Sequence, residues 1–194
     1  MSEDKTEERR RQIMNAVVDV TVTGGLQAAT FRTIAEQAGV SVRLVQYYFG
    51  DKDQLLADTL AYVRTDIADL VATELTELGD DPDPRQVLET ICEAFLPVDE
   101  RRRRAMLVFI AFGTAALTDE SLRSPDALRR GRELAGVIAE QLRSVRSDDR
   151  VDDDALLLVM TIVGLGNGVL AGDVTVDHAR RLLDHALDRV LGGA

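Results

Sequence analysis

Apolar residues recur at helical spacing along almost the whole chain, and this pattern restricts the possible fold more than any other feature. Ile13, Ala16 and Val17 begin one apolar stripe at positions i, i+3 and i+4. Similar stripes occupy residues 56–78 and 179–190. No segment alternates β-branched or aromatic residues with polar ones between hairpin turns, so strands are not supported. The sequence therefore predicts an all-α protein of about nine helices.

Neither a membrane nor an oxidising compartment is indicated by the sequence. The apolar segment 155–171 is shorter than the roughly 20 residues that cross a bilayer, and it includes Thr161, Asn167 and three glycines. The charged opening of the chain holds no apolar signal region. The single cysteine, Cys92, allows no internal disulfide. We therefore expect a cytoplasmic protein with no membrane partner.

Two short helices joined by a glycine turn are predicted within residues 30–52, TFRTIAEQAGVSVRLVQYYFGDK. Thr30 can cap a first helix whose Ile34 and Ala35 face inward, and Gly39 allows a tight turn into a second helix. In a helix-turn-helix the second helix enters the major groove of DNA and the first crosses the backbone. A plain corner between packed helices has the same outline, so the outline alone leaves both alternatives open.

The side chains of this segment favour DNA binding. Leu44, Val45 and Phe49 can face a small core, which leaves hydrogen-bond donors free for phosphates and base edges. The net charge of the chain, −11, has the wrong sign for a nucleic-acid binder. Residues 9–52, however, contain six basic and three acidic residues, so their charge is +3 and the acidic excess lies in residues 53–194. The donors are Arg32, Ser41, Arg43, Gln46, Tyr47, Tyr48 and Lys52.

This segment resembles the N-terminal domain of the tetracycline-repressor (TetR) family of transcriptional regulators. The resemblance covers about a quarter of the chain and implies a helix-turn-helix DNA-binding domain at residues 1–52. It also implies a helical effector-binding and dimerisation domain at residues 53–194. The residues that carry the resemblance are Gly25, Thr30, Ile34, Ala35, Ala38, Gly39, Val40, Ser41, Tyr48, Phe49, Lys52 and Leu55.

The resemblance also implies roles for single residues. Arg32 would reach the groove or the backbone, and Lys52 would contact a phosphate from the start of a long connecting helix. Gln46 stands where the family often has tyrosine, so its amide would take the place of an aromatic phosphate contact. Arg43 stands where a small residue is common, which suggests an added base or phosphate contact. The implied DNA-binding residues are Thr30, Arg32, Ser41, Val42, Arg43, Gln46, Tyr47, Tyr48 and Lys52.

The function implied by the resemblance is that of a ligand-responsive homodimeric repressor. Two recognition helices would read the half-sites of a pseudo-palindromic operator, and helices at about 152–171 and 175–191 would pair with their copies. A small-molecule effector of unknown identity would enter an apolar cavity of the C-terminal domain. Plain core packing is the alternative for each candidate effector residue. These candidates are Tyr62, Phe95, Met106, Phe109, Ile110, Phe112, Gly113, Thr114, Met160 and Asn167.

Two other classes of function are weighed against this one. Gly166, Gly168 and Ala171 follow the G-x-G-x-x-A spacing of a dinucleotide-binding enzyme, which requires a strand before the first glycine. If the preceding segment is a helix, these are small residues that let helices approach closely. The third class is a helical interaction module that binds no DNA. We expect no enzyme, cofactor or metal site, because no catalytic grouping or metal-ligand spacing is present.

The run of four arginines at 101–104 has two interpretations. It follows Asp99 and Glu100, and it opens an apolar helix at the end where positive charge opposes the helix dipole. The arginines can pair with acidic neighbours at a solvated helix end. Alternatively, they contact the DNA-binding domain or an anionic effector.

Overall fold

The computed structural model describes residues 2–119 and 125–192, and their side chains over 5–119 and 133–192. These residues form nine α-helices and a short 3₁₀ turn at Leu26–Ala28, without strands, which confirms the all-α prediction. The helices are α1 (Ser2–Gly24), α2 (Phe31–Ala38), α3 (Val42–Phe49), α4 (Lys52–Glu77), α5 (Pro84–Glu93), α6 (Glu100–Thr118), α7 (Pro125–Val145), α8 (Val151–Ala171) and α9 (Val176–Gly192).

The chain packs as two compact units. The first consists of Met1–Asp66 and Leu107–Arg123, and the second of Ile67–Met106 and Ser124–Ala194. Helices α4 and α6 each contribute residues to both units. These are units of packing, so the division between a DNA-binding and an effector-binding domain at residue 52 stays a prediction.

In the first unit, α1 packs against α2 and the 3₁₀ turn, and α2 packs against α3. Ile13, Val17, Ile34, Val45 and Leu55 are fully buried. Helices α2 and α3 have eight residues each, which is too short for a stable isolated helix in water. Their conformation therefore depends on this core, which holds one face of each helix inward.

The cap predicted for α2 and the glycine turn are confirmed, and the structure adds a serine cap at the start of α3. The Thr30 hydroxyl accepts from the Thr33 backbone N–H, and the Thr33 side chain accepts from the Thr30 N–H in return. Gly39 ends α2 with a φ of +64°, a conformation that favours glycine. The Ser41 hydroxyl then accepts from the Leu44 N–H at 3.2 Å and caps α3. The two helices are thus ended and restarted within three residues.

The core of the second unit is built from α5, α7, α8 and α9, which pack on one another. Asp83 caps α5 by accepting from the Arg85 N–H, and Pro84 occupies the first turn of this helix. Arg146 closes the far end of α9 by donating to the Val190 carbonyl and pairs with Asp154 on α8. The largest fully buried side chains of this unit are Leu88, Leu96, Ile138, Leu142, Leu158, Ile162 and Leu187.

Helix α8 buries only part of its apolar surface. It is long and apolar enough to cross a membrane by length and composition, but 28% of its most apolar window is buried inside the protein. Leu158 and Ile162 enter the core of the second unit. On the rest of the helix surface, large apolar side chains are exposed in the single chain. They are Leu156, Leu157, Met160 and Val163, and we call them the exposed α8 face.

Candidate nucleic-acid interface

Helix α3 turns one face to the core of the first unit and the other to solvent. Val45 and Phe49 are buried, whereas Arg43, Gln46 and Tyr47 are exposed. Tyr47 has 80% of its surface exposed. A tyrosine that served only to pack in the core would be largely buried. The outward face therefore carries a guanidinium, an amide and a phenol, all of which can donate hydrogen bonds to DNA.

The start of α3 is also open to solvent. Ser41, Val42 and Arg43 are all exposed there, and the hydroxyl of Ser41 is already used as the helix cap. In helix-turn-helix proteins the N-terminal residues of the recognition helix contact the base edges. The geometry of α3 in this unit is suited to that mode of reading.

Two tyrosines lie side by side at the end of α3. The rings of Tyr47 and Tyr48 meet edge to face, with centroids 5.3 Å apart and an angle of 83°. Tyr48 is half-buried, so its ring supports the more exposed ring of Tyr47. This contact restrains the Tyr47 side chain before any DNA is bound.

The remaining predicted DNA-binding residues flank α3. Thr30 and Arg32 are exposed at the start of α2, and Lys52 is half-buried as the first residue of α4. The Thr30 hydroxyl also lies 3.0 Å from that of Thr33. All nine predicted residues thus lie within the first unit, and seven of them are exposed.

Arg10 is a functional candidate that the sequence reasoning treated only as a positive charge. Its guanidinium donates to the Tyr48 carbonyl and to the Asp58 carboxylate, and it lies over the Phe49 ring. These partners are 38 to 48 residues away in the sequence. No local signal could therefore have found them.

The predicted effector residues of the first unit do not share one environment. The Tyr62 hydroxyl donates to Oδ1 of Asn15 at 3.1 Å, at the edge of an open polar cleft of about 600 Å³ formed by α1, α2 and α4. Phe112 is buried, and Phe109 and Ile110 are half-buried. The other two, Gly113 and Thr114, are exposed.

In the second unit, two of the predicted effector residues meet at Gly166. A Cβ at this glycine would lie 2.5 Å from Cε of Met106 and 2.6 Å from the Phe95 carbonyl oxygen. The other two, Met160 and Asn167, are exposed on α8. Because the glycines lie within a helix and not after a strand, the dinucleotide-binding interpretation is wrong. Gly166 instead allows a close approach to Phe95 and Met106.

A second cleft, of about 520 Å³, was not predicted from the sequence. It is lined by residues of α4, α5 and α9 and by Leu78, and half of its ten lining residues are acidic. Several of these carboxylates are already paired: Glu93 accepts from Arg180 at 2.5 Å, and Glu89 from Arg85 at 2.7 Å. The acids are Glu74, Glu77, Glu89, Glu93 and Asp184.

One arginine of the run at 101–104 is buried: Arg102, whereas Arg101 and Arg103 are exposed and Arg104 is half-buried. Arg102 is 6% exposed, and it donates to both oxygens of Glu74 at 2.5 and 2.7 Å and to Asp99. Burial would lower the pKa of Arg102, but the bonds to Glu74 and Asp99 raise it. Burial likewise opposes ionisation of Asp99, yet hydrogen bonds from the Arg102 backbone and side chain hold the Asp99 pKa below its usual value. Pairing with acidic neighbours is therefore the role that the structure gives Arg102.

The described part of the chain holds neither a metal-ligating cluster nor a reactive thiol. No three His, Cys, Asp or Glu side chains cluster there in a way that could hold a metal ion. The Cys92 thiol is fully buried, and burial raises its pKa to about 12. A thiol with so high a pKa is a poor nucleophile.

Models of known protein families match both the N-terminal and the C-terminal part of the chain. Residues 13–59 match the model of the TetR family of bacterial regulatory proteins. Residues 84–192 match the C-terminal model of BetI-type transcriptional repressors. The curated relatives include the HTH-type transcriptional regulator BetI of Vibrio atlanticus. It is 26% identical over 185 residues, which are 94% of this chain and 92% of that protein.

Solved structures share the fold over nearly the whole length. A transcriptional regulator from Rhodococcus sp. RHA1 is 30% identical with a TM-score of 0.74, over 94% of each chain. A transcriptional regulator from Saccharomonospora viridis, solved in complex with choline, is 25% identical with a TM-score of 0.79, over 94% of this chain and 97% of that one. The protein is thus a DNA-binding regulator of transcription and not an enzyme, and it belongs to the TetR family.

Proposed function

We propose that this protein is a homodimeric repressor, active in the cytoplasm, that occupies a pseudo-palindromic operator and leaves it when a small molecule binds. The observation that carries this proposal is the outward face of α3, where Arg43, Gln46 and Tyr47 are exposed above a buried apolar face. Regulators of this family bind operator DNA, dimerise and bind small-molecule effectors.

The proposed DNA contacts divide into two kinds. Base edges are read by the first turn of α3 and by the tyrosine pair, through Ser41, Val42, Arg43, Tyr47 and Tyr48. Phosphates are bound by residues on three helices. They are Thr30 and Arg32 at the start of α2, Gln46 on α3 and Lys52 at the start of α4. Charge supports DNA contact by this part of the chain, because residues 9–52 carry +3 in a chain of −11. Base contacts give specificity, and phosphate contacts give affinity and register.

We assign dimerisation to α8 and α9. The exposed α8 face presents four large apolar side chains to water in the single chain, and Leu182 on α9 is also exposed. Contiguous exposed apolar surface of this kind marks an interaction site. A second copy that offers the same face would cover it with apolar surface, as a two-fold symmetric interface requires.

A quaternary ammonium compound is the first effector to test. The Saccharomonospora viridis regulator was solved with choline bound, and the C-terminal match is to BetI-type repressors. Quaternary ammonium ions bind over the faces of aromatic rings. Four of the predicted effector residues are aromatic: Tyr62, Phe95, Phe109 and Phe112.

Selection of bound sequences from random duplex DNA tests the function. We expect enrichment of an inverted repeat whose half-site centres are separated by one or more helical turns, about 34 Å each. Choline added to the purified complex should then release the DNA, and other small molecules follow in the same assay. Failure to enrich any sequence at low salt would contradict the proposal and favour a helical module that binds no DNA.

A further inference from the structure

Arg10 on α1 joins three helices of the first unit. Its Nη1 donates to the carbonyl oxygen of Tyr48 at 2.7 Å, and its Nη2 donates to Oδ2 of Asp58 at 2.6 Å. The guanidinium carbon lies 4.4 Å from the centroid of the Phe49 ring. One side chain therefore contacts the last turn of α3 and the second turn of α4 at the same time.

The contact with Tyr48 is made where a helix needs a donor. The last four carbonyls of an α-helix have no donor within the helix, and in α3 the Gln46 carbonyl is satisfied by the Gly50 N–H at 2.8 Å. Arg10 satisfies the Tyr48 carbonyl from outside the helix. A positive charge at the C-terminal end is also favourable for the helix dipole.

The contact with Asp58 has a fixed geometry. Oδ1 of Asp58 accepts from Nε2 of Gln54 at 2.7 Å, so both carboxylate oxygens are engaged and the carboxylate cannot turn freely. Arg10 and Asp58 keep 28% and 25% of their side-chain surface exposed, so the pair is partly shielded from water. The planar guanidinium presents its donors to the two acceptors from two nitrogens in a fixed fork, whereas the three donors of an ammonium group all lie on one nitrogen at the end of a flexible stem.

We propose that Arg10 is a positioning residue for DNA recognition, which sets the angle of α3 against α1 and α4 and does not itself bind phosphate. The inference rests on the proposed DNA-binding function. Helix α3 is short, and only Gly50 and Asp51 link it to α4, so its direction depends on contacts such as this one. Without Arg10 the helix samples several angles, and base contacts, which demand a defined geometry, weaken more than phosphate contacts.

The experiment compares Arg10→Met, Asp58→Asn and the double variant, with binding measured on the selected operator and on a scrambled duplex over a range of salt. Arg10→Met keeps an apolar stem over Phe49. We expect it to lower operator affinity about tenfold, with little change on scrambled DNA and an unchanged salt slope. Asp58→Asn should act in the same direction. The double variant should be no weaker than Arg10→Met, because both changes remove one interaction.

Two further variants serve as references. Arg11→Met removes the same charge from the same helix one residue on, and should leave the ratio of operator to scrambled affinity unchanged. Lys52→Ala, the proposed phosphate contact, should weaken both duplexes equally and lower the salt slope by about one. If Arg10→Met behaves like Lys52→Ala, Arg10 is a phosphate contact and the proposal fails. It also fails if Arg10→Met keeps the wild-type ratio.

Arg10→Lys provides a second test that can still be measured if Arg10→Met does not fold. Lysine keeps the charge but lacks the fixed fork of donors that holds both acceptors, so the ratio of operator to scrambled affinity should fall between wild type and Arg10→Met. A lysine variant that equals wild type would overturn the bridging role.

Hydrogen exchange separates this proposal from the DNA-binding proposal. If the wild-type protein selects no sequence, the DNA-binding function fails, but the effect on α3 can still be measured in the free protein. Backbone amides of residues 45–50 should then exchange about tenfold faster in Arg10→Met than in wild type, with α1 unchanged. Equal exchange in the two proteins would overturn the positioning role by itself.

Discussion

Arg43 is the side chain on which base discrimination by α3 most depends. It is exposed in the first turn of the recognition helix, where side chains reach base edges. A guanidinium that binds a base bidentately discriminates against the wrong base by about 1–3 kcal/mol. The proposal therefore assigns a large part of the specificity to a single residue.

Replacement of Arg43 by alanine tests this assignment. We expect Arg43→Ala to weaken operator binding by about 1–3 kcal/mol and to relax the preference at one base pair of each half-site. Arg150→Ala, which removes an exposed arginine outside α3, is the matched control and should change neither quantity. Fluorescence anisotropy on the operator and its single-base variants measures both. An equal loss on every sequence would make Arg43 a phosphate contact instead.

At the scale of single residues, the sequence predicts burial and exposure where the signal is local. The 3.6-residue period separated buried Val45 and Phe49 from exposed Arg43 and Tyr47, and the structure agrees. The same reasoning could not separate Arg10 from its neighbours Arg9 and Arg11. Its role depends on a carbonyl and a carboxylate brought close only by the tertiary fold.

At the scale of the helix, α8 shows how a small residue fixes an approach. Gly166 lies against the Phe95 carbonyl and the Met106 methyl group, and Gly168 against Val174. The sequence predicted close packing at this glycine series, but not which glycine is needed. A Cβ added at Gly164 would meet no atom within 4 Å in the single chain. Gly166 differs because its neighbours Phe95 and Met106 are distant from it in the sequence.

Substitution at Gly166 tests the role of this close approach. Met106 can move its flexible end, but the Phe95 carbonyl is backbone, so Gly166→Ala should cost about 1–3 kcal/mol in the free energy of unfolding. Gly136→Ala is the matched control on α7, because a Cβ there meets nothing within 4 Å. That change should stabilise the protein by about 0.5–1 kcal/mol. Urea unfolding compares the two, and a Gly166→Ala protein as stable as wild type would contradict the account.

The start of α6 is held to α4 by a buried arginine. Arg102 pairs with Glu74 and with Asp99, and truncation of one partner in such a group leaves a buried charge uncompensated. The sequence left two roles open for the arginine run, pairing with acidic neighbours at a solvated helix end, or contact with the DNA-binding domain or an anionic effector. It could not point to Glu74, which lies 28 residues earlier, because no pattern connects the two. The helix dipole disfavours a positive charge at this helix start. The ion pairs of Arg102 with two carboxylates offset that effect.

The lowered pKa of Asp99 gives this group a pH dependence. A carboxyl whose pKa is lower in the folded protein than in the unfolded chain adds stability above its ordinary pKa of about 3.9, and loses it as the pH falls through the folded value. Between about pH 6 and pH 3, the free energy of unfolding should therefore fall more steeply for wild type than for Asp99→Asn. Urea titrations at each pH measure it. Parallel curves for the two proteins would show that Asp99 adds no such stability.

For the whole molecule, charge and apolar surface have separate roles. The chain carries −11, yet residues 9–52 carry +3, so DNA is attracted to the helix-turn-helix segment and repelled by most of the remaining surface. Periodicity predicted an all-α chain of about nine helices, and nine helices occur in the described residues, because apolar stripes are a local signal. It could not predict the exposed α8 face, because the exposure of Leu157 or Met160 depends on whether another surface covers it.

The mass of the protein–operator complex tests most directly the central proposal, which is that the exposed α8 face joins two chains and thereby two recognition helices. Sedimentation on the selected operator should give two chains per duplex, or a multiple of two. Leu157→Glu should give monomers with operator affinity reduced about a hundredfold or more, whereas Val137→Glu, at an exposed valine on α7, should behave as wild type. One chain per duplex, or tight operator binding by a monomeric Leu157→Glu protein, would contradict the account.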